Sequence, residues 1–150
     1  MKILITAIVI MLTWVNGEAI GMGIDISKII AIESGFDSLK MGRAGEVGLC
    51  QITRECMTDF NIRNKRSFKY PTDLYNPRIN IGIAQWYLGE RIPQMLKAYD
   101  RPVTIENILI SYNAGIRYVR DNIPTPQSTL RYINKYKRAE ANIQKVKAYL

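Results

Sequence analysis

The stretch Asp-Ile-Ser-Lys-Ile-Ile-Ala-Ile-Glu, residues 25–33, predicts an amphipathic helix that begins after the N-cap residue Asp25. The apolar face of this helix consists of isoleucines at helical spacing, Ile26, Ile29 and Ile30. Glu33 follows the first of them by seven residues and so returns to the same face. Burial disfavours the charged form of a carboxyl group and raises its pKa, which is what a general acid at neutral pH requires. The alternative is that Glu33 lies in a fraying last turn and points to solvent.

Three more helix starts lie further along the chain, at Asn76-Pro77, Thr104 and Thr125-Pro126. Each offers a capping residue or an N-terminal proline, and apolar residues follow at helical spacing. Alternation with a period of two is hard to find, and residues 39–52 are the favoured place for irregular or short β structure. The sequence therefore predicts a single, mainly α domain of the α+β kind, with a short irregular or β segment after the first helix.

The composition excludes several kinds of active site. The 150 residues contain 21 Lys and Arg, 13 Asp and Glu and no histidine, which gives a formal net charge of +8. Catalysis by Ser-His-Asp or Cys-His groups is therefore impossible, and so is a zinc site of four cysteines or of paired cysteines and histidines. Cys50 and Cys56 could close a small disulfide loop or remain two buried thiols. No cofactor is expected, and catalysis must depend on carboxylates, Lys, Tyr or hydroxyl groups.

The N-terminus has the pattern of an export signal. Lys2 is followed by an apolar run of about thirteen residues, and Gly17-Glu18-Ala19 offers small residues where a signal peptidase cleaves. We expect residues 1–19 to be a signal peptide and residues 20–150 to form the exported domain, in the periplasm or cell envelope. An uncleaved anchor is the less favoured alternative, because a membrane span needs roughly twenty apolar residues.

Five short motifs occur in the order and spacing of a known enzyme family. They are Glu33-Ser34-Gly35-Phe36, then Gly48-Leu49-Cys50-Gln51-Ile52, then Asn80-Ile81 with Tyr87-Leu88, then Ser111-Tyr112-Asn113-Ala114-Gly115, and finally Thr129-Leu130-Arg131-Tyr132-Ile133. Together they resemble the soluble-type (SLT) lytic transglycosylases, which are relatives of goose-type lysozyme. The chain departs from the family pattern at several positions, namely Gly42, Cys50, Ala84, Ser111 and Ser128.

This resemblance implies a lysozyme-like fold and an activity on peptidoglycan glycan strands. Glu33 would protonate the glycosidic oxygen between N-acetylmuramic acid and N-acetylglucosamine, and would then take the proton of the muramyl C6 hydroxyl as that oxygen closes on C1. The product is a 1,6-anhydro sugar. The resemblance assigns supporting roles in substrate binding to Ser34, Gln51, Tyr112, Asn113 and Tyr132. Small relatives often serve a secretion, conjugation or phage assembly, and we expect a monomer.

Each supporting residue also has a simpler interpretation. Tyr112 lies on the apolar stripe of its helix and could be a core residue. The segment 113–115 could be only a helix stop, and Gln51 only a polar residue before the next cap at Thr53. Glu46 is a candidate second acid, since a carboxylate there could activate water and make the enzyme a hydrolytic muramidase.

The basic charge is compatible with more than one class of protein. Residues 131–150 hold six Lys and Arg and a single Glu, together with three tyrosines. Such a surface favours encounter with the stem-peptide carboxylates of peptidoglycan. A nucleic-acid-binding module is the rival class, but the export signal argues against it. A cell-wall-binding protein without activity is a third class, and an acid on an apolar helix face distinguishes the enzyme from it.

Overall fold

In the computed structural model, which describes residues 23–150, α-helices are the main elements. Their bounds are α1 Ile26–Glu33, α2 Arg54–Asn64, α3 Pro77–Trp86, α4 Ile92–Ala98, α5 Ile105–Asn113, α6 Arg117–Arg120, α7 Gln127–Arg138 and α8 Ile143–Lys147. A 3₁₀ helix, Thr72–Tyr75, precedes α3, and a π-helical turn, Tyr87–Arg91, joins α3 to α4. The prediction of a mainly α domain is confirmed. The predicted signal peptide, residues 1–19, lies outside the described residues.

The segment between α1 and α2 contains the short β structure that the sequence predicts there. Val47 forms antiparallel bridges with both Met41 and Ile52, and these bridges fold residues 41–52 into a compact loop. Within residues 23–150, no helix is both long enough and apolar enough to cross a membrane.

The side-chain caps of the predicted helices follow the sequence closely. The side chains of Asp25, Asn76 and Thr104 accept backbone N–H groups of the first turns of α1, α3 and α5. The last long helix, α7, differs from the prediction: Pro126 rather than Thr125 occupies the N-cap position and no side chain caps the start, so the helix begins at Gln127 and ends at Arg138. The side-chain caps of α1, α3 and α5 satisfy N–H groups that a helix start leaves without partners.

The core surrounds α3, whose residues Ile81, Ile83 and Ala84 are fully buried. Helix α1 packs its isoleucine face against α7 and α8. Helix α5 contacts α4, α6 and α7, and so its C-terminal end comes to lie on the same cleft as the C-terminal end of α1. The core thus fixes two helix ends that are far apart in the sequence.

A single buried side chain, that of Asn80 in α3, anchors the loop 41–52. Its amide nitrogen donates to the carbonyl oxygens of Val47 at 2.8 Å and Leu74 at 2.9 Å. Its amide oxygen accepts the backbone N–H of Cys50 at 2.8 Å. Because a buried polar group without a partner is costly, this set of three bonds specifies one position for the loop.

Gly48 is expected to be indispensable for this anchoring. Its φ is +78°, and a Cβ there would lie 2.3 Å from Nδ2 of Asn80 and 2.6 Å from the carbonyl oxygen of Leu74. We expect Gly48→Ala to lower the free energy of unfolding by about 2–4 kcal/mol, through backbone strain and steric conflict. Denaturant unfolding measures this effect. Gly82→Ala is the matched control in α3, where a Cβ meets nothing within 4 Å, and we expect it to stabilise by about 0.5–1 kcal/mol.

Candidate active site

A cleft of about 650 Å³ opens where the end of α1 meets the end of α5. Glu33 contributes one wall, and residues 111–115 contribute another. The remaining lining comes from the loop around residues 40–53, from Cys56 and from Tyr87. Two helix ends and one anchored loop therefore form a single concave site, which is the usual place for a ligand.

The partly buried carboxyl group of Glu33 has an unusual pKa. Burial is the largest cause and raises the pKa from 4.5 to about 7. The Tyr132 hydroxyl and the Lys40 ammonium group oppose this rise, while the negative charge of Glu46 adds to it. A carboxyl group with this pKa is present in both protonated and charged forms near neutral pH, so it can give a proton and take one back.

Tyr132 belongs to α7 and, unlike Glu33, does not line the cleft. Burial is the main cause that raises the pKa of its phenol well above the usual value, and the Glu33 charge raises it further. Its buried hydroxyl has no partner at full hydrogen-bond geometry within residues 23–150. The hydroxyl therefore keeps its proton and can turn to donate it to the Glu33 carboxylate. Because such a hydrogen bond stabilises the charged form of Glu33, it lowers the pKa of that carboxyl group.

Tyr112 lies in the cleft wall, but its hydroxyl is already engaged. It donates a hydrogen bond of 2.7 Å to the carbonyl oxygen of Cys50 and thereby joins α5 to the loop. The ring centroid lies 6.1 Å from that of Tyr87, which also lines the cleft. The ring of Tyr112 rather than its hydroxyl is the part that a ligand could contact.

Gln51 closes the loop at the cleft floor, with a left-handed backbone conformation at φ +51°. Its side-chain amide donates to the carbonyl oxygens of Gly48 at 3.0 Å and Lys40 at 3.2 Å. A Cβ at Gly42 would lie 2.8 Å from the Gln51 side-chain oxygen and 2.2 Å from the nearer carboxylate oxygen of Glu46. The absence of a side chain at Gly42 therefore makes room for both polar groups in the cleft.

The two remaining predicted binding residues occupy different places. Asn113 lies in the cleft wall at the end of α5, where its side-chain oxygen accepts a bond of 2.8 Å from the Thr129 hydroxyl. Its amide nitrogen has no hydrogen-bond partner among residues 23–150 and can donate to a ligand. Ser34 caps the end of α1, and its hydroxyl donates to the carbonyl oxygen of Ile30 at 3.2 Å. Ser34 does not line the cleft.

Lys40 and Tyr87 are site residues to which the sequence analysis gave no role. The Lys40 ammonium group donates to the backbone carbonyl oxygen of Glu33 at 2.6 Å, and so ties the loop to the end of α1. No periodic pattern marks Lys40. Tyr87 was visible as part of a motif, and it lines the cleft where α3 continues into the π-helical turn, a feature that the sequence analysis did not predict.

The two cysteines are buried free thiols rather than a disulfide. Burial raises the pKa of Cys56 to about 12 and that of Cys50 well above its usual value. Neither thiol forms a thiolate near neutral pH, so neither is suited to be a nucleophile. Among residues 23–150, no group of three or more His, Cys, Asp or Glu side chains is arranged to hold a metal ion.

The model of one protein family, described as Transglycosylase SLT domain, matches residues 25–134. The match begins at the N-cap of α1 and ends within α7, so it includes every residue that lines the cleft. Searches of curated proteins and of solved structures gave no match. Residues 135–150 lie beyond the matched span.

Proposed function

Because the chain belongs to the transglycosylase SLT domain family, we propose that it is a peptidoglycan lytic transglycosylase in which Glu33 is both general acid and general base. Family membership supports peptidoglycan cleavage as the activity. The observation that carries the residue assignment is the place of the Glu33 carboxyl group, which lies at the end of α1 in the wall of a cleft within the matched span, where burial raises its pKa to about 7.

In the proposed reaction, protonated Glu33 donates its proton to the oxygen that links C1 of N-acetylmuramic acid to N-acetylglucosamine. The C1–oxygen bond breaks, and the N-acetylglucosamine end leaves with a hydroxyl group. Glu33, now charged, accepts the proton of the muramyl C6 hydroxyl while that oxygen bonds to C1. Glu33 ends in its starting form and no water is consumed, so a single carboxyl group is sufficient.

The other cleft residues supply orientation. Asn113 offers an amide nitrogen and Gln51 a side-chain oxygen, and both suit the N-acetyl and hydroxyl groups of amino sugars. The rings of Tyr87 and Tyr112 offer apolar faces to the sugar rings. Intramolecular attack by the C6 hydroxyl prevails over water only if the sugar is held with that hydroxyl close to C1.

A hydrolytic muramidase is the second candidate, and the position of Glu46 favours it. Glu46 lines the same cleft as Glu33 and raises the pKa of that acid through its charge. Its carboxylate accepts the backbone N–H of Ala44 at 3.1 Å, which holds it in the loop. A second carboxylate of this kind could activate a water molecule on the opposite face of the sugar.

Digestion of purified peptidoglycan in water enriched in heavy oxygen separates these candidates. We expect mass spectrometry to find anhydromuramyl ends from the wild-type protein and from Glu46→Gln alike. Reducing ends that carry heavy oxygen and disappear in Glu46→Gln would instead identify a two-carboxylate hydrolase. The absence of any cleavage would favour a cell-wall-binding protein. Glu106→Gln, in the exposed first turn of α5, controls for the loss of one negative charge.

The charge of the C-terminal region suits an acidic, insoluble substrate. The basic side chains of residues 131–150 are exposed, and none of them takes part in an ion pair within the described part of the chain. Apart from Lys145, whose ammonium nitrogen lies 4.2 Å from the centroid of the Phe36 ring, they remain free to attract stem-peptide carboxylates at long range. Export to the envelope and service to a secretion, conjugation or phage assembly stay predictions from the sequence.

A further inference from the structure

Residues 139–150, called the brace below, lie beyond the matched family span and nevertheless pack on α1. The brace contains α8, whose Val146 is 1 % exposed and belongs to the core. Its polar contacts fall at the two ends of α1 rather than along it. The C-terminal end of α1 is Glu33 itself.

At the N-terminal end of α1, the brace contacts Ser27. The backbone N–H of Asn142 donates to the Ser27 hydroxyl oxygen at 2.9 Å, and that hydroxyl donates to the Asp25 carboxylate at 2.6 Å. Ser27 is fully buried. The brace therefore supplies a partner to a buried hydroxyl beside the N-cap of the helix.

At the C-terminal end of α1, the brace contacts Phe36. The Tyr149 hydroxyl donates to the Phe36 carbonyl oxygen at 2.8 Å, and the Lys145 ammonium nitrogen lies 4.2 Å from the centroid of the Phe36 ring. Gly35 and Phe36 have φ values of +65° and +69°. A phenylalanine in this left-handed conformation is strained and persists only where its surroundings hold it. Two contacts from the brace thus support the strained turn that directly follows the acid.

We propose that the brace fixes both ends of α1 and thereby the position of Glu33, with Tyr149 as the positioning residue at the catalytic end. The proposal rests on the proposed function for its catalytic consequence, but its structural part can be measured without substrate. Without the Tyr149 bond, the turn 34–36 is expected to relax and the end of α1 to open locally, while the core holds the rest of the helix.

The first measurement is amide hydrogen exchange of the full chain. The N–H groups of Ser34 and Gly35 donate to the Ile30 carbonyl oxygen at 3.0 and 3.1 Å, so their exchange reports opening of this helix end. We expect Tyr149→Phe, which removes only the hydroxyl, to accelerate their exchange roughly three- to tenfold, the scale of one lost hydrogen bond. Exchange in α5 should remain as in the wild type. Tyr75→Phe is the matched control, since Tyr75 does not line the cleft.

The second measurement is the steady-state cleavage rate, because a displaced acid lowers turnover more than substrate binding. We expect Tyr149→Phe to lower kcat roughly three- to tenfold with KM unchanged, and Tyr75→Phe to change neither. Unchanged exchange at Ser34 and Gly35, or equal acceleration throughout the domain, would overturn the proposal. So would local acceleration with a wild-type kcat. A wild-type protein that cleaves no peptidoglycan would refute the proposed function instead, and the exchange result would still decide whether the brace holds α1.

Discussion

Replacing Glu33 by glutamine is expected to lower peptidoglycan cleavage by at least roughly a hundredfold while the fold is kept, the scale of losing a general acid. Glutamine has almost the same shape but cannot donate a proton to the glycosidic oxygen. The side chain lines the cleft at the end of an intact helix, so the change leaves the core undisturbed. Release of soluble muropeptides from purified peptidoglycan measures the rate, and wild-type activity in Glu33→Gln would refute the assignment.

The same substitution has a stability signature that a surface carboxylate would lack. The pKa of Glu33 is about 7 in the fold against 4.5 as a free side chain, so the folded state binds more protons than the unfolded state between these values. The stabilisation associated with Glu33 is therefore complete below pH 4.5 and is lost as the pH rises through 7, by about 3 kcal/mol in all.

Glu33→Gln carries no such charge, so its stability relative to the wild type should increase from pH 4.5 to pH 7 and then level off. Denaturant unfolding at several pH values measures this difference. Glu106→Gln, which alters an exposed carboxyl group, should show no comparable trend. If the two substitutions gave the same pH dependence, Glu33 would not be the desolvated group that the proposed mechanism requires.

Predictability from the sequence depended on how local the signal was. The starts of α1, α3 and α5 could be predicted because a cap and an apolar stripe lie within a few residues of each other. Helix α2 was harder to see, since it buries only Cys56 and Met57 and has no stripe. The π-helical turn before α4 was not predicted. Pro93 has no N–H to offer the carbonyl oxygen of Gly89, and the turn absorbs that break in the helix.

In the candidate site too, residues marked by a local pattern could be predicted and residues placed by long-range contacts could not. The place of Glu33 on an apolar face followed from helical periodicity alone. The contact between Lys40 and the Glu33 carbonyl oxygen did not, because it joins a loop without periodicity to a helix end. That loop is positioned by Asn80, which is 30 residues from Cys50 in sequence. The groups that shift the pKa of Glu33 can therefore be recognised only in the folded structure, where the long-range contacts have formed.

The pH dependence of cleavage should report the effect of Lys40 and Glu46 on the pKa of Glu33. Only protonated Glu33 can start the reaction, so kcat/KM is expected to fall about tenfold per pH unit above pH 7, or about a hundredfold by pH 9. This fall is the alkaline limb of the pH–rate profile, and two substitutions should move the limb in opposite directions along the pH axis. Glu46→Gln removes a charge that raises the pKa of Glu33 and should shift the limb to lower pH. Lys40→Gln removes a charge that lowers this pKa and should shift the limb to higher pH.

Opposite shifts are the decisive feature of this experiment, because the substrate's own ionisable groups are the same for every variant. A limb that reported only substrate ionisation would stay where it is in both variants. A limb set by general loss of structure would move in the same direction in both. Only a carboxyl group that feels both Glu46 and Lys40 through its charge gives shifts of opposite sign, and in this cleft that group is Glu33.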